Sequence, residues 1–179
     1  MFSAIQSIDT SVMMFIQEHI RNGILTPIMA FFSIIGDVGA VWLILSAALI
    51  ITKKFRRTGI LLLASVAISW MMNDLLLKPL IARARPFEVI DGLEVLIHLP
   101  RSYSFPSGHA CSSFAAAYAL TRSVPKYGKW FYVLAAMIAV SRVYLGVHYP
   151  SDIMAGIVVG TLGSIVIHWI SVKCKKSMV

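Results

Sequence analysis

Charge is scarce in this chain. Of its 179 residues only 13% are charged and 58% are hydrophobic, where a soluble domain carries roughly a quarter charged residues. That shortage excludes an ordinary soluble fold and points to an integral membrane protein. Cysteine is nearly missing as well. Cys111 and Cys174 cannot build a thiolate metal centre, and the topology derived below sets them near opposite membrane faces, where no disulfide would join them. No Gly/Ser/Pro-rich linker, internal repeat or low-complexity tract interrupts the sequence, so one helical domain over residues 1–179 is expected. The start, Met1-Phe2-Ser3-Ala4, has no basic stretch ahead of its apolar residues and does not read as a cleavable signal peptide. Acidic residues are few, eight against sixteen basic, for a formal net charge of +8. The basic excess sits in short loops between apolar segments, so the partner it implies is the bilayer and not nucleic acid.

The apolar segments predict an all-α, polytopic transmembrane bundle of about five spans plus an N-terminal interfacial helix. Phe2, Ile5, Ile8, Val12, Phe15 and Ile16 recur at helical spacing among polar residues, which describes an amphipathic helix lying in the interface. Residues 24–52 form an apolar stretch broken by Pro27 and by Gly36-Asp37-Val38-Gly39. As one helix it would reach about 43 Å, against a hydrocarbon core of about 30 Å. The expected solution is an interfacial or re-entrant segment to about residue 35, giving an interfacial region over 1–37, followed by a first span over 38–52. Further spans are expected at 58–77, 107–122, 130–145 and 151–172, with a short interfacial helix at 89–99. Six spans result if residues 1–35 cross the bilayer instead.

Loops 53–57, 122–129 and 173–176 hold ten of the sixteen basic residues and no acidic one. They fall on one face, which the positive-inside rule makes cytoplasmic. Three polar blocks then gather at the extracytoplasmic surface of a plasma membrane. They are Lys78 to Arg85-Pro86, Pro106-Ser107-Gly108-His109, and Ser141-Arg142 to His148 and Asp152. Ionisable groups at membrane depth are costly, so such blocks mark function.

Lys78, Arg83, Arg85, Arg101 and Arg142 are outer-face cations that the positive-inside rule leaves unexplained. Converging on one pocket, they would neutralise a phosphate: Arg grips its oxygens with a planar fork, Lys with a point charge. Arg83 and Arg101 fit snorkelling or pairing with acids better, and Asp74 can pair with Lys78 one helical turn away. Ser107 suits the N-cap of a helix whose free N–H groups face an anion, and Gly108 lets backbone approach a ligand. His109 is an interfacial histidine or a proton donor to a leaving oxygen. Pro150 suits the first turn of the last span, where Asp152 complements the helix dipole. Asp152 could equally accept a hydrogen bond from His148, freeing the other ring nitrogen to attack phosphorus.

In order and spacing, Lys78 with six residues before Arg85-Pro86, then Pro106-Ser107-Gly108-His109, then Ser141-Arg142 with five residues before His148 and three more before Asp152, resemble the three-part signature of the type-2 phosphatidic acid phosphatase family. That family shares its catalytic core with vanadium-dependent haloperoxidases. The match covers residues 78–152 and departs at no signature position. The resemblance implies a small bacterial membrane phosphatase that needs no metal or other cofactor. His148 would be the nucleophile oriented by Asp152, and His109 the acid that protonates the leaving lipid oxygen. Lys78, Arg85, Arg142, Ser107 and the Gly108 N–H would hold the phosphate.

The expected substrate is a membrane lipid phosphate. Analogy to small bacterial members favours undecaprenyl pyrophosphate over phosphatidylglycerol phosphate or phosphatidic acid. A non-hydrolytic lipid-phosphate carrier would use the same cations without the histidines, and a vanadate-dependent oxidase sits poorly with so apolar a chain. Gly156 and Gly160 suit close helix packing, within the bundle or across a homodimer. The four tryptophans suit interfacial belts or packed faces.

Overall fold

The computed structural model describes residues 2–176, with side chains over residues 4–174. Met1, the side chains of Phe2, Ser3, Lys175 and Lys176, and residues 177–179 lie outside that description. Among the described residues the chain is helical and contains no strand. Helix α1 is Phe2–Phe15, extended by a wider turn over Ile16–Ile20. Helices α2 (Leu25–Gly36) and α3 (Ala40–Ile51) follow. Then comes α4 (Arg56–Trp70), which runs through a π-helical stretch, Met71–Leu77, into α5 (Lys78–Ile81). Helix α6 is the short Pro86–Val89; α7 (Gly108–Ser123), α8 (Gly128–Tyr144) and α9 (Pro150–Lys176) complete the bundle.

Three stretches, Leu25–Ile51, Lys53–Val89 and Pro150–Cys174, are long and apolar enough to cross a bilayer by length and composition. Helices α7 and α8 hold 16 and 17 residues and run between the same two ends. Five helical legs therefore run between the two ends of the bundle. At one end the basic loops 53–57 and 173–176 meet, where Arg57 Nη2 donates to Ser171 O across 3.5 Å; Thr121 Oγ1, donating to Gly128 O, closes the basic loop 122–129. The polar blocks all lie at the other end.

The N-terminal third departs from expectation. Residues 1–37 do not form one interfacial region. Helix α1 lies across the polar end, with Asp9 against Ser151 and Gln17 against Gly92 and Glu94. Helix α2, however, runs along α8 from Thr26, hydrogen-bonded to Tyr144 Oη at 3.0 Å, down to Gly36, which touches Ile138. It joins α3 through a kink at Asp37–Gly39, where Val38 and Gly39 take φ of 52° and 71°. The two helices make one bent leg, and the bend lets 27 residues fit where a straight helix would overshoot.

The expected helix at 89–99 is absent; only Pro86–Val89 is helical there. Its backbone groups are claimed by neighbours instead. Gln17 bonds Gly92 O and Glu94 N–H, Arg21 bonds Glu94 O, and Leu96 N–H reaches Leu145 O. Gly92, at φ 77°, turns the chain so that these partners meet it.

Helix α7 is the central strut, packed against α4, α8 and α9. Its core face is small: Ala110, Cys111, Ser113, Ala115, Ala116 and Ala117 are all fully or nearly fully buried. Small residues let backbones approach, so polar contacts replace bulk at these crossings. Ser69 Oγ donates to Gly160 O and Cys111 Sγ to Ser69 O, while Ser164 bonds Ser65. Gly156 and Gly160 serve packing within the bundle, since a Cβ on either would strike the α7 backbone at Ser107 or Cys111. Trp42 is not a belt residue: it is 1% exposed, with Nε1 donating to Ser113 Oγ at 3.0 Å. Trp70, Trp130 and Trp169 are exposed.

Backbone cannot yield as a side chain would, so Gly160→Ala is expected to destabilise the protein by about 1–3 kcal/mol. Gly23→Ala, where a Cβ would have nothing within 4 Å, should leave stability unchanged. Thermal unfolding of both variants in detergent checks the contrast.

Candidate active site

At the polar end, the bend of the first leg, the ends of α4, α7 and α8, and the connections before α7 and α9 enclose a cavity of about 420 Å³. Lys78, Arg85, Gly108, His109, Arg142 and His148 all line it. Ser107 and Asp152 stand directly behind that lining. All eight residues singled out in the sequence thus converge on one place, although they come from segments up to 74 positions apart.

Each side chain is set by its local structure. Lys78 ends the π-helical stretch, one turn after Asp74, and its Nζ bonds Asp74 Oδ1 at 2.5 Å. Arg85 is 3% exposed and held by its whole fork. Nε donates to Ser102 O and Nη1 to Val147 O, both at 2.7 Å; Nη2 reaches Ser102 Oγ and Tyr103 O. Its own N–H is capped by Glu88, which fixes the turn into α6. Ser107 is the N-cap of α7. Its N–H donates to Asp152 O at 3.1 Å, while its buried Oγ has no partner among the described residues. A Cβ at Gly108 would lie 3.6 Å from Lys78 Nζ, so glycine keeps this backbone close to the ammonium. Arg142, at the last turn of α8, donates through Nη1 to Ser33 Oγ. Its buried Nε has no partner among the described residues.

The two histidines face the same space. His109 Nε2 lies 3.2 Å from Ser33 O and 4.0 Å from Asp37 Oδ1. His148 is 2% exposed. Its Nδ1 is 3.4 Å from Asp152 Oδ2, and its Nε2 is 3.4 Å from Arg85 Nη1. Arg85 can only donate, so the tautomer that satisfies both contacts carries its proton on Nδ1. The Nε2 lone pair then faces the Arg85 guanidinium, and both residues line the cavity. His148 lies in the loop between α8 and α9, and burial pushes its pKa down to about 4, opposed by the hydrogen bond to Asp152. It is therefore neutral at physiological pH.

Three cations, an N-terminal helix turn and two imidazoles around one space can hold a tetrahedral oxyanion and move a proton to or from it. The other half of the cavity is apolar, walled by Leu43, Val66, Ala67 and Trp70 from α3 and α4. Among the described residues no three His, Cys, Asp or Glu side chains group as metal ligands. The anticipated Asp74–Lys78 pair is present, and Arg83 pairs with acids, Asp9 and Asp152, while Arg101 is exposed. Sequence reading missed Ser33, which touches both His109 and Arg142, and Asp37 beside His109. Ser33 lies in an apolar helix with no motif around it. Its one legible sign is a polar residue, four before Asp37, set between Phe31-Phe32 and Ile34-Ile35.

The sequence profile of the PAP2 superfamily matches residues 58–176. The chain belongs to the PAP2 superfamily. It is 36% identical over 125 residues to an Undecaprenyl-diphosphatase of Sulfolobus acidocaldarius, covering 68% of this PAP2 chain and 59% of that protein. It is 37% identical over 130 residues to the Decaprenylphosphoryl-5-phosphoribose phosphatase of Mycobacterium tuberculosis, covering 70% and 69%. Among solved structures, the transmembrane PAP2-type phosphatidylglycerolphosphate phosphatase of Bacillus subtilis superposes with a TM-score of 0.74 at 30% identity, over 95% of this chain and 87% of that one. Each of these relatives is by name a phosphatase of a lipid phosphate, so this PAP2 chain is similar to phosphoric ester hydrolases of membranes.

An oxyanion held by these cations should stabilise the fold. Orthovanadate at a hundred times its Kd is expected to add about 2.7 kcal/mol to the wild-type protein. Arg142→Ala, which removes the side chain with the unpartnered Nε, should lose most of that increment, as read by thermal shift with and without vanadate.

Proposed function

We propose that this PAP2 protein hydrolyses a lipid phosphate or diphosphate at the extracytoplasmic face of the plasma membrane, through a phosphohistidine on His148. The observation that carries the reading is the two-ended cavity: a cationic end with two histidines joined to an apolar end between α3 and α4. A phosphate with a long hydrocarbon tail has that same division. The three basic loops gathered at the opposite end support the orientation.

Lys78, Arg85 and Arg142 neutralise the phosphate, with the Gly108 N–H and Ser107 hydroxyl as further donors. His148 Nε2 attacks phosphorus as the bond to the leaving oxygen breaks, and Asp152 stabilises the charge that develops on the ring. His109 gives a proton to the leaving oxygen. Water then loses a proton to His109 and attacks phosphorus, the P–N bond breaks, and inorganic phosphate leaves. The cations meet the charge on the equatorial oxygens in both steps, so no metal is required for that task.

For the substrate, we favour a polyprenyl diphosphate such as undecaprenyl pyrophosphate. The Sulfolobus relative is named for that activity, and the mycobacterial one also acts, by name, on a polyprenyl phosphate derivative. Phosphatidylglycerol phosphate and phosphatidic acid are the competing substrates.

Purified protein in chelator is expected to release phosphate from undecaprenyl pyrophosphate faster than from either competitor, measured as kcat/KM. Faster release from phosphatidylglycerol phosphate would reassign the substrate. Binding of all three without release would make the protein a carrier. His148→Ala should abolish turnover, and retained turnover sinks the mechanism. Because protonation of His148 removes the attacking lone pair, activity should fall on acidification only as the pH nears about 4. An acid limb of the kcat/KM profile at the ordinary imidazole pKa of about 6.5 would contradict that ordering.

A further inference from the structure

Behind His148 lies a second polar cluster that the reaction above uses only through Asp152. Arg83 is its centre. Nη1 donates to Asp152 Oδ1 at 2.6 Å and to Ser151 Oγ at 2.7 Å. Nη2 donates to Asp9 Oδ2 at 2.8 Å and to Gln6 Oε1 at 2.7 Å. The guanidinium lies over the ring of Tyr149, 3.8 Å from its centroid. Its backbone carbonyl accepts from Ser104 N–H at 2.9 Å, and Ser104 Oγ in turn donates to Asp152 Oδ2 at 2.5 Å.

Asp9 comes from α1, outside the segment that matches the family profile. It is a carboxylate only 2% exposed. Besides Arg83 it accepts from Ser151 N–H at 3.0 Å and from Ser151 Oγ, so it caps the start of α9 from another helix. A buried carboxylate with this partner set is costly to build and costlier to leave unpaired, which makes the position of α1 depend on Arg83.

The geometry points to a positioning role: Arg83, locked by Asp9 of α1, holds Asp152 so that its Oδ2 faces His148 Nδ1. Oδ2 already accepts from Ser104 Oγ and from Tyr149 N–H at 2.9 Å. With Oδ1 pinned by Arg83, the carboxylate plane cannot turn, and the third contact of Oδ2 falls to the His148 ring. Arg83 and Asp9 touch no cavity-lining atom of the reaction and act through Asp152. The helix that carries no family motif thereby becomes part of the working site. This inference rests on His148 being the nucleophile.

The test uses the full chain in detergent with dioctanoyl phosphatidic acid as probe substrate, and compares Arg83→Met, Arg83→Lys, Asp9→Asn, the Asp9→Asn/Arg83→Met double variant and His148→Ala. A misaimed nucleophile lowers kcat and leaves substrate binding alone. Arg83→Met is expected to lose about 100-fold in kcat with KM within about twofold. Arg83→Lys should recover part of the loss, because it restores the charge without the fork. Asp9→Asn should lose about tenfold in kcat, and the double variant should be no worse than Arg83→Met, since Asp9 acts only through Arg83. A merely structural link would lower the melting temperature while kcat per folded molecule stayed at the wild-type value, and that result overturns the proposal. If Arg83→Met does not fold, Asp9→Asn decides, as it keeps the shape and deletes only a charge: kcat down with KM unchanged supports the role, and unchanged kcat overturns it. Turnover in His148→Ala would remove the underlying mechanism and this role with it. A dead His148→Ala beside fully active Arg83 and Asp9 variants would remove this role alone.

Discussion

One carboxylate organises the polar end of this protein. Asp152 is fully buried, and a buried carboxylate must spend all of its acceptor capacity or destabilise the fold. It does so on Arg83, Ser104, the Tyr149 N–H and His148. Those donors come from three separate segments: the strand of irregular chain after α5, the loop before α7, and the turn into α9. Satisfying one anion therefore fixes where three connections run. Its backbone carbonyl also holds Ser107 N–H, so the N-cap of α7 is placed by the same residue.

The second constraint is like-charge repulsion. Lys78, Arg85 and Arg142 are each less than a tenth exposed and face one another across a small cavity. The protein offsets that cost mostly with neutral oxygens. Carbonyls of Ser102, Tyr103 and Val147 take up Arg85, and the Ser33 hydroxyl takes up Arg142; among the described residues Lys78 alone of the three is ion-paired, to Asp74. Carbonyl dipoles hold a guanidinium in place without cancelling its charge. The field in the cavity stays positive, which is what an anionic substrate needs.

Much of the site was legible because its residues violate the composition around them. Lysine, arginine, histidine and aspartate at the ends of apolar segments stand out, and their spacing within each block matches a known pattern. The first traverse was not legible in the same way. Counting residues at 1.5 Å each ruled out a straight helix over 24–52 and so led to a re-entrant segment, but a left-handed kink at Val38-Gly39 solves the same length problem with a bent leg. The segment 89–99 was expected to form a short interfacial helix. Its backbone is claimed instead by Gln17 and Arg21, residues over 70 positions away, and the local sequence carries no trace of such partners. Ser33 and Asp37 escaped for a related reason: a single polar residue has no spacing to read.

The sequence by itself determined the class of protein, the end at which the basic loops gather and the eight residues that meet at the polar end. Each of these follows from local quantities: hydropathy over about twenty residues, loop charge, and motif spacing. Tertiary structure alone decided that α1 is bound into the back of the site, that α2 presents Ser33 to both His109 and Arg142, and that an apolar cleft between α3 and α4 opens onto the cations. Those contacts join positions dozens of residues apart, and they depend on how a kinked leg packs against α8 and on how closely the small residues of α7 let its neighbours approach. Packing of that kind is a property of the assembled bundle, and no window along the chain contains it.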